Sequence, residues 1–220
     1  MMSERAAPLK QREKAYARFT DHLLARDVRP GQFVSQRELV ELTGMPLGAI
    51  REIVPRLEVE GLIRTVPQRG MQIAHIDVAL IREAYQFRLF MEREAVAEFT
   101  ATVSDGEIAE WIRRHREILV EVETQGPTAD VEARAQALDW GLHDRFIDAL
   151  GNAIISQAYR VNSIKTRLIA QERFRIEGRV APVMREHLAV LEAIAARDAA
   201  AAATALSAHI ARARELALAM

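Results

Sequence analysis

Apolar positions recur at helical spacing along most of the chain, and the interruptions fall at proline, glycine and capping residues. Between Gln11 and Arg26, Tyr16, Phe19, Leu23 and Leu24 share one face, which predicts a helix. Val28-Arg29-Pro30-Gly31 breaks it, because proline fixes φ and glycine supplies a positive φ. Ser35-Gln36-Arg37-Glu38 has the form of a capping box and opens a second helix to about Thr43. Gly44-Met45-Pro46 turns the chain into a third helix, from about Leu47 to Glu60. Ile50, Ile53, Val54 and Leu57 face inward there, and Gly61 ends it. The period then changes. Residues 62–66 and 71–74 read as short strands, joined by the hairpin tip Pro67-Gln68-Arg69-Gly70.

Beyond a short linker, 75–77, every segment is helix-periodic. Helices are predicted over 78–101, 105–124, 128–150, 153–177, 182–197 and 199–218. Ser104-Asp105-Gly106-Glu107, Gly126-Pro127-Thr128, Gly151-Asn152 and Asp198 mark boundaries between them. The run Ala199–Ala203 stays helical, since alanine is the best helix former. The fold class is therefore mainly α. A winged helix-turn-helix of three helices and a β-hairpin occupies 1–76, and an all-α antiparallel helical bundle occupies 77–220.

Composition narrows this picture little. The 220 residues include no cysteine, which excludes disulfides and thiolate metal sites. No apolar run approaches the roughly 18–20 residues that span a bilayer. Met1 to Lys10 lacks an apolar stretch of the signal-peptide kind. No membrane partner and a cytoplasmic location are expected. The net charge of −1 conceals an asymmetry, with 12 Lys+Arg against 9 Asp+Glu in residues 1–76 and 18 against 22 in the remainder. The basic part suits phosphates; the acidic part does not.

A helix-turn-helix sets its second helix in the major groove. In this chain that helix is 47–60, and its early outward positions are Leu47, Gly48, Arg51 and Glu52. Arg51 can reach a phosphate or a guanine edge. Arg37 is similarly placed on the preceding helix, and Gln68 and Arg69 sit on the wing tip, where a basic hairpin can enter a minor groove. A single surface arginine carries little weight; the order of elements carries the argument.

On Arg29-Pro30-Gly31-Gln32, Ser35-Gln36-Arg37-Glu38-Leu39, Ile50-Arg51-Glu52, Leu57-Glu58-Val59-Glu60-Gly61-Leu62-Ile63 and Pro67-Gln68-Arg69-Gly70, residues 11–74 resemble the GntR family of bacterial regulators. The resemblance implies a homodimer on a pseudo-palindromic double-stranded DNA operator. Arg37, Gly48, Arg51 and the wing residues Gln68, Arg69 and Gly70 would meet the DNA. One departure stands out. Pro46-Leu47-Gly48-Ala49 occupies the place where the family usually has Ser-Arg-Thr-Pro, so Leu47 offers only apolar contact, for instance to a thymine methyl. Base preference should differ accordingly. Pro55, inside the same helix, removes a hydrogen bond and predicts a kink.

A second constellation lies in the helical half. Asp139 and His143 are spaced i, i+4 and share a face. His187 and His209 stand beside apolar neighbours on the last two helices. One carboxylate and three imidazoles converging inside a bundle would suit a divalent transition metal. A buried, hydrogen-bonded histidine is the commoner role for each taken alone. His22, His75 and His115 read as surface residues.

Arg88-Leu89-Phe90-Met91-Glu92, Asp139-Trp140-Gly141-Leu142-His143 followed by Gly151-Asn152, Glu186-His187 with Ala193-Ile194 and Asp198, and His209-Ile210 together resemble the FCD ligand-binding domain of the FadR-like branch of GntR regulators. Six predicted helices rather than seven are similar to the VanR-like subgroup. The resemblance implies a metal held by Asp139, His143, His187 and His209, with zinc first and nickel or manganese as alternatives. It also implies a small organic acid effector. Arg88 is the candidate for a charge-assisted hydrogen bond to that acid; its alternative is an ion pair with Glu92 at i+4. The expected function is a DNA-binding transcription regulator, taken as a repressor. Two other readings are a metal-dependent enzyme with a DNA-binding-like accessory domain and a direct metal sensor. No nucleophile elbow or phosphate loop supports the enzyme.

Overall fold

A computed structural model describes residues 10–173 and 178–219. The chain divides into two compact units, 1–77 and 78–220.

The first unit opens with α1 (Gln11–Leu24), which ends where Arg26 takes a φ of +66° rather than running on to that residue. The capping box of α2 (Gln36–Thr43) forms as its sequence requires. Ser35 Oγ accepts from the Glu38 N–H at 3.1 Å, and the Glu38 carboxylate accepts from the Ser35 N–H at 2.6 Å. α3 (Leu47–Val59) continues through Pro55, which deprives only the Arg51 carbonyl of its helical donor; the expected kink does not break the helix. Gly61, at a φ of +69°, turns the chain out of α3, and the Leu62 N–H reaches back to the Leu57 carbonyl at 2.8 Å. Phe19, Leu23, Leu39, Ile50, Ile53 and Leu57 are buried together.

The wing is a three-stranded antiparallel sheet rather than a bare hairpin. β2 (Ile63–Val66) and β3 (Gly70–Ile73) pair in the register Ile63↔Ile73 to Val66↔Gly70. The unexpected strand β1 (Phe33–Val34) pairs with the other edge of β3, giving the order β1-β3-β2. Two residues are too few for alternation to show in a sequence; the strand exists because β3 has an edge to satisfy. The third strand also explains Gly70. Its φ is +92°, and a Cβ there would lie 2.9 Å from the Val34 carbonyl oxygen.

The second unit is a helical bundle: α4 (Val78–Thr102), α5 (Asp105–Gln125), α6 (Ala129–Ala149), α7 (Ala153–Arg173), α8 (Val180–Ala195) and α9 (Ala199–Leu218). Ser104, Thr128 and Asp198 cap α5, α6 and α9 by accepting from backbone N–H groups at 3.2, 3.2 and 2.9 Å. The helix predicted over 153–177 is described as far as Arg173, and 174–177 lie outside the described residues. α8 starts and stops two residues earlier than expected, since Arg197 adopts a φ of +59° to turn the chain into α9.

α4 packs against α6, α7 and α9, and α8 against α5 and α9. Of the successive pairs, α5 packs on α6, α6 on α7 and α8 on α9. Phe99 and Phe146 meet edge to face, 5.3 Å between centroids. The Arg197 guanidinium donates to the carbonyls of Thr100 and Val103 at 2.9 and 2.7 Å and pairs with Asp105 at 2.6 Å. It thereby satisfies the exposed carbonyl end of α4 from the turn before α9.

Candidate nucleic-acid interface and metal centre

In the first unit the residues expected to meet DNA lie at the surface or along the wing. Arg37 is almost wholly exposed, with Nε 3.1 Å from its i+4 partner Glu41. Arg51 is exposed on α3 and donates from Nε to Gln36 on α2 at 3.2 Å. Leu47, the first residue of α3, is 40% exposed. Gly48 beside it has open space where a Cβ would sit. At the wing tip Gln68 is exposed at a φ of +64°, and the Arg69 guanidinium lies over the Phe33 ring, 4.8 Å from its centroid. Gly70 has a reason of its own, the approach of β1, and needs no ligand to account for it.

In the second unit the fold brings Asp139, His143, His187 and His209 together. One ligand atom from each lies within 4.8 Å of all the others. α6 supplies the first two at i, i+4, α8 supplies His187 and α9 supplies His209. His187 Nε2 is 3.3 Å from His209 Nε2 and 3.2 Å from Asp139 Oδ1, and His143 Nε2 is 3.7 Å from that same oxygen. Ligands about 2.1 Å from a tetrahedral ion stand roughly 3.4 Å apart, so the cluster has the right dimensions.

The outward-facing nitrogens show whether the donors fit an ion. His143 Nδ1 meets the Glu92 carboxylate at 2.5 Å, and His209 Nδ1 meets the Glu186 carboxylate at 2.8 Å. His187 Nδ1 meets His115 Nε2 at 3.2 Å. A carboxylate can only accept, so His143 and His209 carry a proton on Nδ1 and turn inward the Nε2 atom that, in the neutral ring, presents a lone pair. His143 Nε2 is buried with no hydrogen-bond partner. Lone pairs converging with a carboxylate oxygen, one of them orphaned, are what a cation would resolve.

Electrostatics agree in most respects. Burial holds His187 and His209 below the usual imidazole range, and it pushes His115 down to about 3. Burial works against the charge on Asp139, yet the His143 and His187 imidazoles beside it hold its pKa well below the usual carboxylate value. His143 moves the other way. Burial and Arg88 lower it, but Glu92 and Asp139 outweigh them and raise it. A cation at Nε2 would compete with that proton.

Arg88 and Glu92 form the ion pair that the spacing allowed, Nε to Oε1 at 2.8 Å, with Glu92 wholly buried. Arg88 nevertheless also lines a cavity of about 60 Å³ beside the cluster, with Tyr85, Asp139, His143, Tyr159 and His209. Its two expected roles are thus compatible, because Nε serves Glu92 and the guanidinium has further donors.

Three residues escaped the sequence reading. Spacing offers Glu92 only as a partner for Arg88, yet it also accepts from the Tyr159 hydroxyl at 2.6 Å and is held down to about 2, since Arg88 and His143 overcome the cost of burial. The sequence marks Glu186 only as a neighbour of His187, whereas its carboxylate serves His209. His115, expected at the surface, is fully buried. The signal was present: Ile108, His115 and Ile118 recur at helical spacing on the inner face of α5. His75 is exposed as expected, and His22 pairs with Asp27 at 2.6 Å.

The description "Bacterial regulatory proteins, gntR family" matches residues 11–73, and "FCD domain" matches residues 83–212. The Nta operon transcriptional regulator of Aminobacter aminovorans is 26% identical over 139 residues, which is 63% of each chain. Two solved structures share the fold. McbR/YncC from E. coli superposes with a TM-score of 0.78 at 14% identity, over 96% of this chain and 98% of that one. A GntR structure from Rhodococcus sp. RHA1 does so with a TM-score of 0.76 at 18% identity, over 95% and 97%. These relatives are regulators or share a regulator's fold, and none of them points to an enzyme. A winged helix-turn-helix followed by six helices around an Asp-His-His-His cluster thus makes this chain a member of the GntR family of bacterial regulatory proteins, with an FCD domain as its second half.

Proposed function

We propose that the protein is a cytoplasmic, homodimeric transcription regulator, a repressor, whose FCD domain holds a divalent transition metal and a small carboxylate effector. The observation that carries this reading is the inward convergence of imidazole Nε2 atoms and Asp139 Oδ1, with outer carboxylates on His143 and His209. Three nitrogens and one carboxylate oxygen are borderline donors that suit zinc, with nickel or manganese also accommodated. When bound, the metal supplies positive charge and open coordination positions for carboxylate oxygens.

The protein's own groups do the rest. Glu92 and Glu186 fix two imidazole tautomers and orient the rings. Arg88, lining the cavity, offers its remaining donors to a carboxylate. Burial of the cluster strengthens each of these contacts relative to water. In the other unit, Arg37 and Arg51 reach phosphates or guanine edges while Gln68 and Arg69 carry the wing to the minor groove. Gly48 leaves room for close approach of DNA, and Gly70, which admits β1, holds the wing tip in the shape that carries Gln68 and Arg69. Two copies match the two halves of a pseudo-palindrome. No helix among the described residues is long and apolar enough to cross a membrane.

An effector controls this system only if it binds one arrangement of the protein better than another. Gel-shift titration of operator DNA, repeated with a panel of small organic acids on metal-loaded protein, tests the reading. The expected result is that one acid changes operator affinity and that Arg88→Ala abolishes the response without abolishing DNA binding. Operator binding indifferent to every acid, but following free metal across its physiological range, would instead make the protein a metal sensor.

A further inference from the structure

His115 has a place in the site that neither its sequence context nor the four-ligand cluster assigns. Its Nδ1 lies 2.7 Å from the Trp111 carbonyl oxygen, one turn back on α5. A carbonyl oxygen only accepts, so Nδ1 carries the proton of a neutral ring and Nε2 is left as an acceptor. That acceptor faces His187 Nδ1 at 3.2 Å. His187 must therefore donate from Nδ1, and its Nε2, 3.2 Å from Asp139 and 3.3 Å from His209, is unprotonated. The chain of two hydrogen bonds runs from a backbone carbonyl in a helix to the inner nitrogen of His187 with no free choice of tautomer.

We propose that His115 is a positioning residue that locks His187 in its metal-binding tautomer, using a neutral acceptor where the other two imidazoles use carboxylates. Charge explains the difference. Asp139, Glu92 and Glu186 already place three negative charges around the centre, and a fourth buried carboxylate would have to be desolvated beside them. An imidazole whose own tautomer is dictated by the helix backbone orients its neighbour at no cost in charge. Histidine is suited to this because one ring nitrogen can donate to the backbone while the other accepts. This inference rests on the metal reading above.

The experiment compares wild-type protein with His115→Leu and His115→Gln by competition against a chromophoric zinc chelator. Gln can place its amide oxygen where the acceptor stood while its NH₂ reaches the Trp111 carbonyl; Leu fills the space without an acceptor. His115→Leu is expected to weaken zinc binding roughly 10–100-fold, the usual effect of removing such an outer partner, and His115→Gln to restore most of it. Thermal melts of the zinc-free variants separate this from a general loss of packing. Two-bond ¹H–¹⁵N correlation spectra of the zinc-loaded wild type give a readout independent of either variant. They should show His115 protonated on Nδ1 and unprotonated on Nε2, with His187 protonated on Nδ1. Equal zinc affinity in all three proteins, or a proton on His115 Nε2, would overturn the role of His115 while leaving the centre intact. Failure of the wild type to bind zinc, nickel or manganese would overturn the metal reading itself, and the proposal with it.

Discussion

Glu92 shows how much one side chain can hold together. Its two oxygens serve Arg88, His143 and Tyr159 at 2.8, 2.5 and 2.6 Å, and none of it reaches solvent. Glu92→Gln keeps the shape but removes the charge. It should weaken zinc binding about 10–100-fold by loosening His143, and destabilise the unit by up to about 3–5 kcal/mol by leaving Arg88 uncompensated. Chelator competition and urea unfolding read the two effects separately. At the other end of the chain, Leu47 tests a different chemistry. An exposed leucine opening a recognition helix can touch a thymine methyl but cannot pair with guanine. Selection from a randomised duplex library should return thymine at the position it faces, and Leu47→Arg should shift that position toward guanine. Of the four cluster residues, spacing ties only Asp139 to His143; His187 and His209 join them through the resemblance to the FCD domain. His115 could not be placed so readily. Its partner is 72 residues away, and only its face on α5 hinted at burial.

Elements were legible where local chemistry decides them. The box at Ser35, the turn at Gly61 and the caps at Ser104, Thr128 and Asp198 each involve residues a few positions apart, so the sequence contains both partners. β1 was not legible, since Phe33 and Val34 become a strand only through a partner at Met71 and Gln72. Gly70 and Gly48 let this be measured. Ala at position 70 meets the Val34 carbonyl and an unfavourable φ, so Gly70→Ala should cost the first unit at least about 1–2 kcal/mol. Gly48 lies in a helix with open space around it, so Gly48→Ala should stabilise by up to about 1 kcal/mol. If backbone approach to DNA needs that glycine, the same change weakens operator binding. Between α5 and α6, Arg145 holds Glu107 through two hydrogen bonds at 2.6 and 3.0 Å, lowering its pKa from 4.5. A carboxylate with a depressed folded-state pKa contributes stability that is complete above its unfolded value and lost as the pH falls through the folded one. The pair is about one-third exposed, so the contribution is under about 1 kcal/mol. Urea midpoints of wild type and Glu107→Gln should differ at pH 7 and converge as the pH falls well below 4.5.

For the molecule as a whole, the division of labour follows from charge and burial. The unit with an excess of basic residues offers exposed arginines, while the acidic unit hides its polar chemistry inside. A ligand that binds only folded protein stabilises it by mass action, about 2.7 kcal/mol at one hundred times its dissociation constant. For a unit of this size that amounts to roughly 5–10 °C. Calorimetry before and after a chelator should therefore lower the transition of the helical unit. Readdition of zinc should restore it, whereas a chelator without effect would remove the metal from the account.

The first helix of the bundle is completed by its last residues. α4 packs along α9, its terminal carbonyls are satisfied by Arg197, and the fourth member of the cluster is His209, on α9 itself. During synthesis α6 and α7 can pack on α4 as they emerge, but the side of α4 that faces α9 stays uncovered until α9 follows. The helical unit therefore matures only once α9 is made, and a product truncated before α9 would lack both that cover and one of the four proposed metal ligands. Metal loading would then report that synthesis has passed through α9.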